Sequence, residues 1–464
     1  MLRFNSHRLP YQKRYQLLQQ VKNEVKQSRL QSPHRAVLTQ LAQETPPLRM
    51  RRIWDIEAKV GNRPSFRLSS NCGIIPVFDR IGGKLLILGG TGAGKTTTLM
   101  GLAKVLVKRA IKDNGEPVPI LLNLATWTDS EQSIENWIID QLKIKYNIPA
   151  EIGKDWLENL QILPLLDSLD EVGNNQHNQC ILKLNEFLSS DVCPLHLVVC
   201  SSVEVYHHCE AVLQLNGAIL LRPLTKKQIR DYLMNARSRE LWNNIAEDES
   251  LLKLAKKPLL LSMMTLAYEE ILISSWKRLE TFKEQRQYLF NAYIRSQIAP
   301  HREQSTSRKN WEERNLETVR QGLEWLAKRL EEENKSEFSI QEISPSWLQD
   351  FEQEKKYKIG VKFISGLIWW GIVAFIAIGV IVRSIWVVLG GMILGIIWAA
   401  IYKRFAINDW IKQFVLRSFL SLKGYLPWQT NQFLDTATKR LLLQKVGRRY
   451  RFIHRLLQHH FSQL

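Results

Sequence analysis

The chain contains the octapeptide Gly89-Gly90-Thr91-Gly92-Ala93-Gly94-Lys95-Thr96, which matches the phosphate-binding pattern G-x-x-x-x-G-K-[ST]. An apolar run at residues 85–88 precedes it, and the segment that follows places Leu99 and Leu106 at helical spacing. This pattern holds a phosphate when a strand leads into the loop and a helix leaves it. The sequence therefore predicts a P-loop at the start of an amphipathic helix.

The loop residues predict how a nucleotide would bind. Glycines let backbone N–H groups wrap the phosphates, and the helix N-terminus adds a partial positive charge. The Lys95 ammonium is expected to reach the β- and γ-phosphates, and the Thr96 hydroxyl to ligate Mg²⁺. The expected cofactors are ATP or ADP with Mg²⁺. The predicted nucleotide-binding residues of the loop are Gly89, Gly90, Thr91, Gly92, Ala93, Gly94, Lys95, Thr96 and Thr97.

A second apolar run, residues 162–166, ends in a group of acidic residues. Asp167 follows the run directly and is the predicted second Mg²⁺ ligand. Asp170 and Glu171 come just after it and are the candidate catalytic residues, because a carboxylate there could orient an attacking water. The same acidic pair could instead cap the next helix, and this alternative stays open. Pro164 predicts a gap in the hydrogen-bond ladder of this strand.

Five strand-length apolar runs alternate with amphipathic segments between residues 84 and 221: 84–88, 120–124, 162–166, 195–200 and 218–221. Such alternation predicts an α/β fold with a parallel sheet flanked by helices. Leucines at helical intervals before Pro46 predict a short helical segment at the N-terminus. Beyond Lys226 the apolar residues recur at helical spacing to about residue 350, which predicts an all-α region.

Two uncharged runs lie at residues 363–382 and 385–402. Each approaches the length that crosses a bilayer, so they predict a tight transmembrane hairpin. Lysines and arginines flank both sides, which predicts that both hairpin ends and the P-loop domain are cytoplasmic and that the protein lies in the inner membrane. A fully buried helical hairpin is the alternative.

The composition favours an anionic partner but does not identify it. Lys and Arg number 64 against 45 Asp and Glu, which gives a net charge of +19 in 464 residues. The basic residues cluster partly beside the hairpin, so membrane lipid is the expected partner and nucleic acid is not expected. Trp127, Trp137 and Trp156 are expected in the core rather than on a strand-binding surface. The five cysteines show no C-x-x-C spacing, which argues against a zinc site or a disulfide framework.

The acidic motif Asp167-Ser168-Leu169-Asp170-Glu171 resembles that of NACHT-domain proteins, a branch of the signal-transduction ATPases with numerous domains. Residues 74–79 and 221–225 are similar to segments that flank the sheet in that family. Residues 254–261 resemble the helical-domain motif, which implies that Pro258 packs beside the adenine. Residues 450–454 resemble the winged-helix segment, which implies that His454 contacts the β-phosphate of ADP.

The resemblance implies a nucleotide switch with the family's domain order. ADP would keep the protein closed, and exchange for ATP would open it and make it self-associate, in bacterial defence or stress signalling with an unknown trigger. The expected domains are a short helical segment at 1–50, a NACHT P-loop NTPase domain at 51–230, a helical domain at 231–358, the transmembrane hairpin at 359–404 and a winged-helix-like segment at 405–464.

One departure from the family bears on catalysis. The family places an arginine that senses the γ-phosphate where this chain has Ser202. A hydroxyl cannot replace a guanidinium for phosphate, so we expect slow or absent hydrolysis with nucleotide binding retained. Two other functions stay open: a nucleic-acid-binding P-loop ATPase, and an interaction scaffold that binds nucleotide without turnover.

Overall fold

The computed structural model describes residues 8–33, 37, 56–60, 66–68, 74–173, 176–298, 306–348, 351–381, 407–447 and 449–464. The chain divides into two compact units. The first unit comprises Met1–Ala299, Glu331–Glu337 and Ala437–His460, and the second comprises Pro300–Leu330, Phe338–Thr436 and Phe461–Leu464.

A seven-stranded sheet forms the centre of the first unit. Its strands are β1 (Ile56–Val60), β2 (Phe66–Leu68), β3 (Lys84–Gly89), β4 (Val118–Asn123), β5 (Ile162–Asp167), β6 (Leu197–Ser202) and β7 (Gly217–Leu221). They lie in the order β2-β1-β7-β3-β6-β5-β4. The five strands from β7 to β4 are parallel, whereas β1 pairs antiparallel with both β2 and β7. The predicted α/β class with a parallel sheet is confirmed.

The helices of the first unit lie before the sheet, in the connections between its strands and in the region after it. They are α1 (Arg8–Leu30), α2 (Ile75–Arg80), α3 (Lys95–Lys112), α4 (Ile134–Tyr146), α5 (Ala150–Glu158), α6 (His177–Leu188), α7 (Val203–His207), α8 (Lys226–Asn235), α9 (Arg239–Glu247), α10 (Glu249–Ala255), α11 (Pro258–Leu266), α12 (Ile273–Trp276) and α13 (Phe282–Ile298). Trp127, Trp137 and Trp156, which are expected in the core, are buried.

The proline in β5 shapes its pairing. On the β4 side, Pro164 lies opposite Ile120 within an unbroken parallel register. On the β6 side, pairing is restricted to Leu165 with Val198 and Leu166 with Val199. Since proline has no N–H to donate, the pairing with β6 begins one residue after it. Asp167 therefore still ends a central strand, as the apolar run predicts.

Helix α1 joins the rest of the first unit through polar contacts. The Arg14 guanidinium donates to the carbonyls of Asn114 (3.1 Å) and Glu116 (2.8 Å), just after α3. Farther along α1, Glu24 accepts from Lys145 Nζ at 2.7 Å and from the Tyr146 hydroxyl at 2.9 Å. These contacts hold the helix against the edge of the sheet at β4.

The C-terminal part of the first unit is a β-hairpin followed by a helix: β8 (Leu443–Val446), β9 (Arg449–Phe452) and α18 (Arg455–Ser462). The Gln444 amide donates to the Ser28 carbonyl at 3.1 Å, and the Lys445 N–H donates to Gln31 Oε1 at 3.0 Å. The C-terminal end of α1 therefore contacts β8, although the two elements lie far apart in the sequence.

The second unit is helical. Its helices are α15 (Phe351–Ile381) and α16 (Ile407–Leu422), together with most of α14 (Thr306–Glu332) and most of α17 (Thr430–Lys439). The Trp325 ring stacks on Tyr425, with centroids 5.7 Å apart, and it also contacts Trp347. Aromatic packing of this kind forms the core of the unit.

The expected inner-membrane location is wrong. Residues 385–402 of the predicted hairpin lie outside the described residues, and α15 covers most of the first run. Among the helices that the structure describes, none has the length and apolar character needed to cross a membrane. A helix that crosses a bilayer and a helix that packs against protein can both be free of charged residues. Composition alone therefore does not distinguish them.

Candidate nucleotide-binding site

A cavity of about 1100 Å³ opens beside the P-loop in the first unit. Its volume is at the upper end of that of small-molecule and cofactor sites. It brings together most of the residues that the sequence singled out, although they are far apart along the chain. The predicted residues that line it are Thr91, Gly92, Ala93, Gly94, Lys95, Thr96, Thr97, Asp167, Asp170, Glu171, Pro258 and His454. Gly89 and Gly90 form the start of the loop, outside the set of lining residues.

The P-loop has the backbone shape that a phosphate requires. Gly92 and Gly94 have φ angles of +81° and +93°, which only glycine adopts without strain. Gly94 is the N-cap of α3, and no side chain caps this helix end. The first N–H groups of α3 therefore stay available to a bound phosphate.

Lys95 lies over the start of the loop. Its ammonium donates to the Gly89 carbonyl at 3.1 Å and lies 3.7 Å from Asp170 Oδ2. The other oxygen of Asp170 is buried and has no hydrogen-bond partner among the described residues. A buried acceptor without a donor is rare, and it is what a bound water or ion would satisfy. Asp170 thus pairs with the P-loop lysine and keeps one oxygen for a further ligand.

Thr96 and Asp167 are placed as a magnesium site requires. The Thr96 hydroxyl donates to Asp167 Oδ2 at 2.7 Å, and the Ser168 N–H donates to Oδ1 at 3.0 Å. Ser168 has a φ of +63°, a turn that brings its N–H back to the carboxylate. Hydroxyl and carboxylate oxygens are the ligands that Mg²⁺ prefers, so this pair fits the ion. Bound there, Mg²⁺ would neutralise phosphate charge.

Glu171 is placed among charged groups of both signs. Its pKa is raised to about 7, chiefly by burial and also by Asp170 and Asp167, whereas Arg455 and Arg451 oppose the rise. A carboxyl with this pKa can hold or release a proton near neutral pH, as a group that orients water must.

His177, at the start of α6, lines the same cavity and has a buried Nε2 without a hydrogen-bond partner among the described residues. No motif in the sequence indicates His177 as a site residue.

The raised pKa of Glu171 predicts a pH effect on stability. The folded value of about 7 exceeds the ordinary 4.5, so the folded chain binds the extra proton between these pH values. Ionisation of Glu171 therefore lowers the free energy of unfolding as pH rises from 4.5 to 7. As pH rises across this window, we expect the free energy of unfolding of Glu171→Gln to increase by about 2 kcal/mol relative to that of the wild type. This figure allows for the partial exposure of the carboxyl. Urea denaturation at several pH values measures the difference, and parallel curves would contradict it.

Helix α11 begins directly against the P-loop. Pro258 is its first residue, and the Leu259 N–H donates to the Gly92 carbonyl at 3.3 Å. A Cβ on Gly92 would lie 3.4 Å from that of Leu259, so the two backbones are close. Pro258 and Leu259 both line the cavity. The region after the sheet thus contributes a wall to the site.

His454 faces the P-loop from the other end of the chain. Its Nδ1 accepts the Leu456 N–H at 3.1 Å, so the ring proton resides on Nε2. Burial, together with the nearby cations Lys95, Lys257 and Arg451, lowers the pKa of His454 to about 3. The neutral ring therefore offers one N–H donor to the cavity.

Ser202 supplies no cation to the cavity. Its buried hydroxyl accepts the Val205 N–H at 3.1 Å and so caps α7. The next lining residue, Glu204, is acidic. Sequence analysis missed Glu204, since a lone exposed glutamate after a strand carries no distinctive signal.

Comparison with known proteins finds a likeness to solved structures only. No family model and no curated protein matches the chain. A solved structure of the Aeropyrum pernix ORC1 protein in complex with DNA is 16% identical, with a TM-score of 0.29, over 59% of this chain and 71% of that chain. Drosophila ORC bound to DNA is 11% identical, with a TM-score of 0.29, over 93% of this chain and 92% of that chain. Cdc6p from Pyrobaculum aerophilum is 10% identical, with a TM-score of 0.28, over 84% of this chain and 92% of that chain.

Two of these structures contain DNA. The expectation that nucleic acid is not a partner is contradicted by this finding, and we withdraw it. At such identities and TM-scores, however, the two structures do not show that this chain itself binds DNA. The geometry of the cavity is the basis for the function proposed below.

Proposed function

We propose that this chain is an ATP/ADP-binding switch of the NACHT type. The first unit binds the nucleotide with Mg²⁺ through the P-loop, Thr96 and Asp167. The bound ADP keeps the protein closed, and exchange for ATP opens it and lets it self-associate. On the resemblance to NACHT proteins, the output that we propose is signalling in bacterial defence or stress.

The observation that carries this proposal is the position of His454. His454 and the P-loop line one cavity, although they lie far apart in the sequence. A diphosphate held at the P-loop would accept from the His454 N–H and so join the C-terminal hairpin to the sheet. A ligand shifts a conformational equilibrium only through contacts that differ between the states. A contact with His454 that is made in the closed state alone supplies that difference.

The proposed switch turns over slowly. The Ser202 hydroxyl is engaged in capping α7, so the end of β6 offers no guanidinium to a γ-phosphate. Removal of one preorganised donor to a transition state costs about 100-fold or more in rate. We therefore propose exchange, rather than rapid hydrolysis, as the step that resets the protein.

The test of the proposal is the rate at which ADP dissociates. We expect His454→Ala to release a fluorescent ADP about tenfold faster than the wild type, because one hydrogen bond to a charged phosphate is lost. Stopped-flow displacement by excess unlabelled ADP measures the rate. The control is His207→Ala, an exposed histidine of α7 outside the cavity lining, which should leave it unchanged. Equal rates for all three proteins would contradict the proposed switch.

A further inference from the structure

A carboxylate lies beside the start of the P-loop. Glu204 follows the strand β6 by two residues, and its Oε1 is 3.4 Å from the point where a Cβ on Gly90 would lie. The Lys95 ammonium donates to the carbonyl of Gly89, the residue before. Glu204 and Lys95 therefore lie at the same end of the loop.

This end of the loop is where the last phosphate of a triphosphate would lie. The N-terminus of α3 takes the inner phosphates, and the lysine ammonium reaches the outer ones. Because Lys95 extends back to Gly89, the outermost phosphate approaches Gly90 and thus Glu204. A diphosphate ends before this point, so the Glu204 carboxylate repels it less.

A cation from the region after the sheet stands close to this carboxylate. Lys257 is the N-cap of α11, two residues before Leu259, whose N–H donates to the P-loop carbonyl of Gly92. Burial lowers the pKa of Lys257, electrostatic attraction to Glu204 opposes the effect, and Arg286 adds to it. Lys257 and Glu204 thus interact electrostatically, near the point where α11 meets the P-loop.

We propose that Glu204 sets the nucleotide preference of the site by disfavouring the terminal phosphate of a triphosphate, with Lys257 as its counter-charge. The inference rests on the proposed function, since it concerns the same P-loop site. With a diphosphate bound, Lys257 stays attracted to Glu204. With a triphosphate bound, Lys257 attracts the terminal phosphate while Glu204 repels it, so the two residues act on the ratio of ATP to ADP affinity in opposite directions.

The experiment measures both affinities on the full chain. Fluorescent ADP and a non-hydrolysable ATP analogue are titrated into wild type, Glu204→Gln and Lys257→Met. We expect Glu204→Gln to raise the ratio of ATP to ADP affinity about tenfold, because it removes a negative charge near the terminal phosphate. Solvent and salt partly screen the exposed carboxylate and so limit the effect to this size. We expect Lys257→Met to lower the ratio. Glu210→Gln and Lys256→Met replace exposed neighbours of like charge and should leave it unchanged.

The outcomes separate this inference from the proposed function. An unchanged ratio in Glu204→Gln, with both nucleotides still bound, overturns the inference and leaves the switch intact. A change in hydrolysis without a change in the ratio also overturns it, since Glu204 would then act on the water. A wild-type protein that binds neither nucleotide overturns both proposals.

Discussion

Lys95→Ala is expected to weaken the binding of both ADP and ATP by about 100-fold or more, the effect of losing a charge-assisted contact with desolvated phosphate. The ammonium lies over the start of the P-loop, within 3.7 Å of Asp170. The substitution removes the cation that meets the phosphates and also leaves the Asp170 carboxylate without this counter-charge. Calorimetric titration of the full chain with each nucleotide measures the loss.

The matched control for this variant is Lys108→Ala, which removes an exposed lysine from the same helix, α3. It should bind both nucleotides as the wild type does. Thermal denaturation of the two variants without nucleotide separates a loss of binding from a loss of fold. If Lys95→Ala is folded and binds ADP as tightly as Lys108→Ala does, the P-loop assignment is wrong.

Glu24→Ala is expected to lower the free energy of unfolding by about 3–5 kcal/mol, as removal of one partner from a buried ion pair does. Glu24 is only 4% exposed. It accepts from the Lys145 ammonium and from the Tyr146 hydroxyl. Without its carboxylate, the Lys145 ammonium stays largely buried beside the Leu121 carbonyl and loses its counter-charge. Helix α1 would then be held less tightly to the edge of the sheet.

Urea denaturation followed by tryptophan fluorescence tests this second prediction. Glu151→Ala, an exposed glutamate in the first turn of α5, is the control and should change stability little. Tyr146→Phe keeps the ion pair and should lie between the wild type and Glu24→Ala. A Glu24→Ala curve that overlays that of Glu151→Ala would show that the contacts of Glu24 contribute nothing to the stability of the first unit.

The central strands and the phosphate loop could be predicted because their signals are local. The apolar run before Gly89 and the fixed spacing of Lys95 and Thr96 determine a strand, a loop and a helix without reference to distant residues. The same holds for Asp167, which ends an apolar run. The antiparallel edge strands β1 and β2 were missed, because charged residues such as Glu57 and Arg67 interrupt their short apolar patterns.

The distant walls of the cavity could not be predicted from local pattern. His454 follows a run of basic residues and was singled out only through the resemblance to NACHT proteins. The structure explains how it is held, by the Leu456 N–H, which no spacing rule indicates. Glu204 and His177 reach the cavity because β6 and α6 place them there, so they emerge only once the sheet is assembled.

The most direct test of the central claim is the nucleotide content of the purified full chain. The protein is denatured, and the released nucleotide is identified and quantified by chromatography. We expect close to one ADP per wild-type chain and almost none from Lys95→Ala, with little phosphate release when ATP and Mg²⁺ are added. A wild-type protein that carries no nucleotide and binds neither ADP nor ATP on addition would contradict the account.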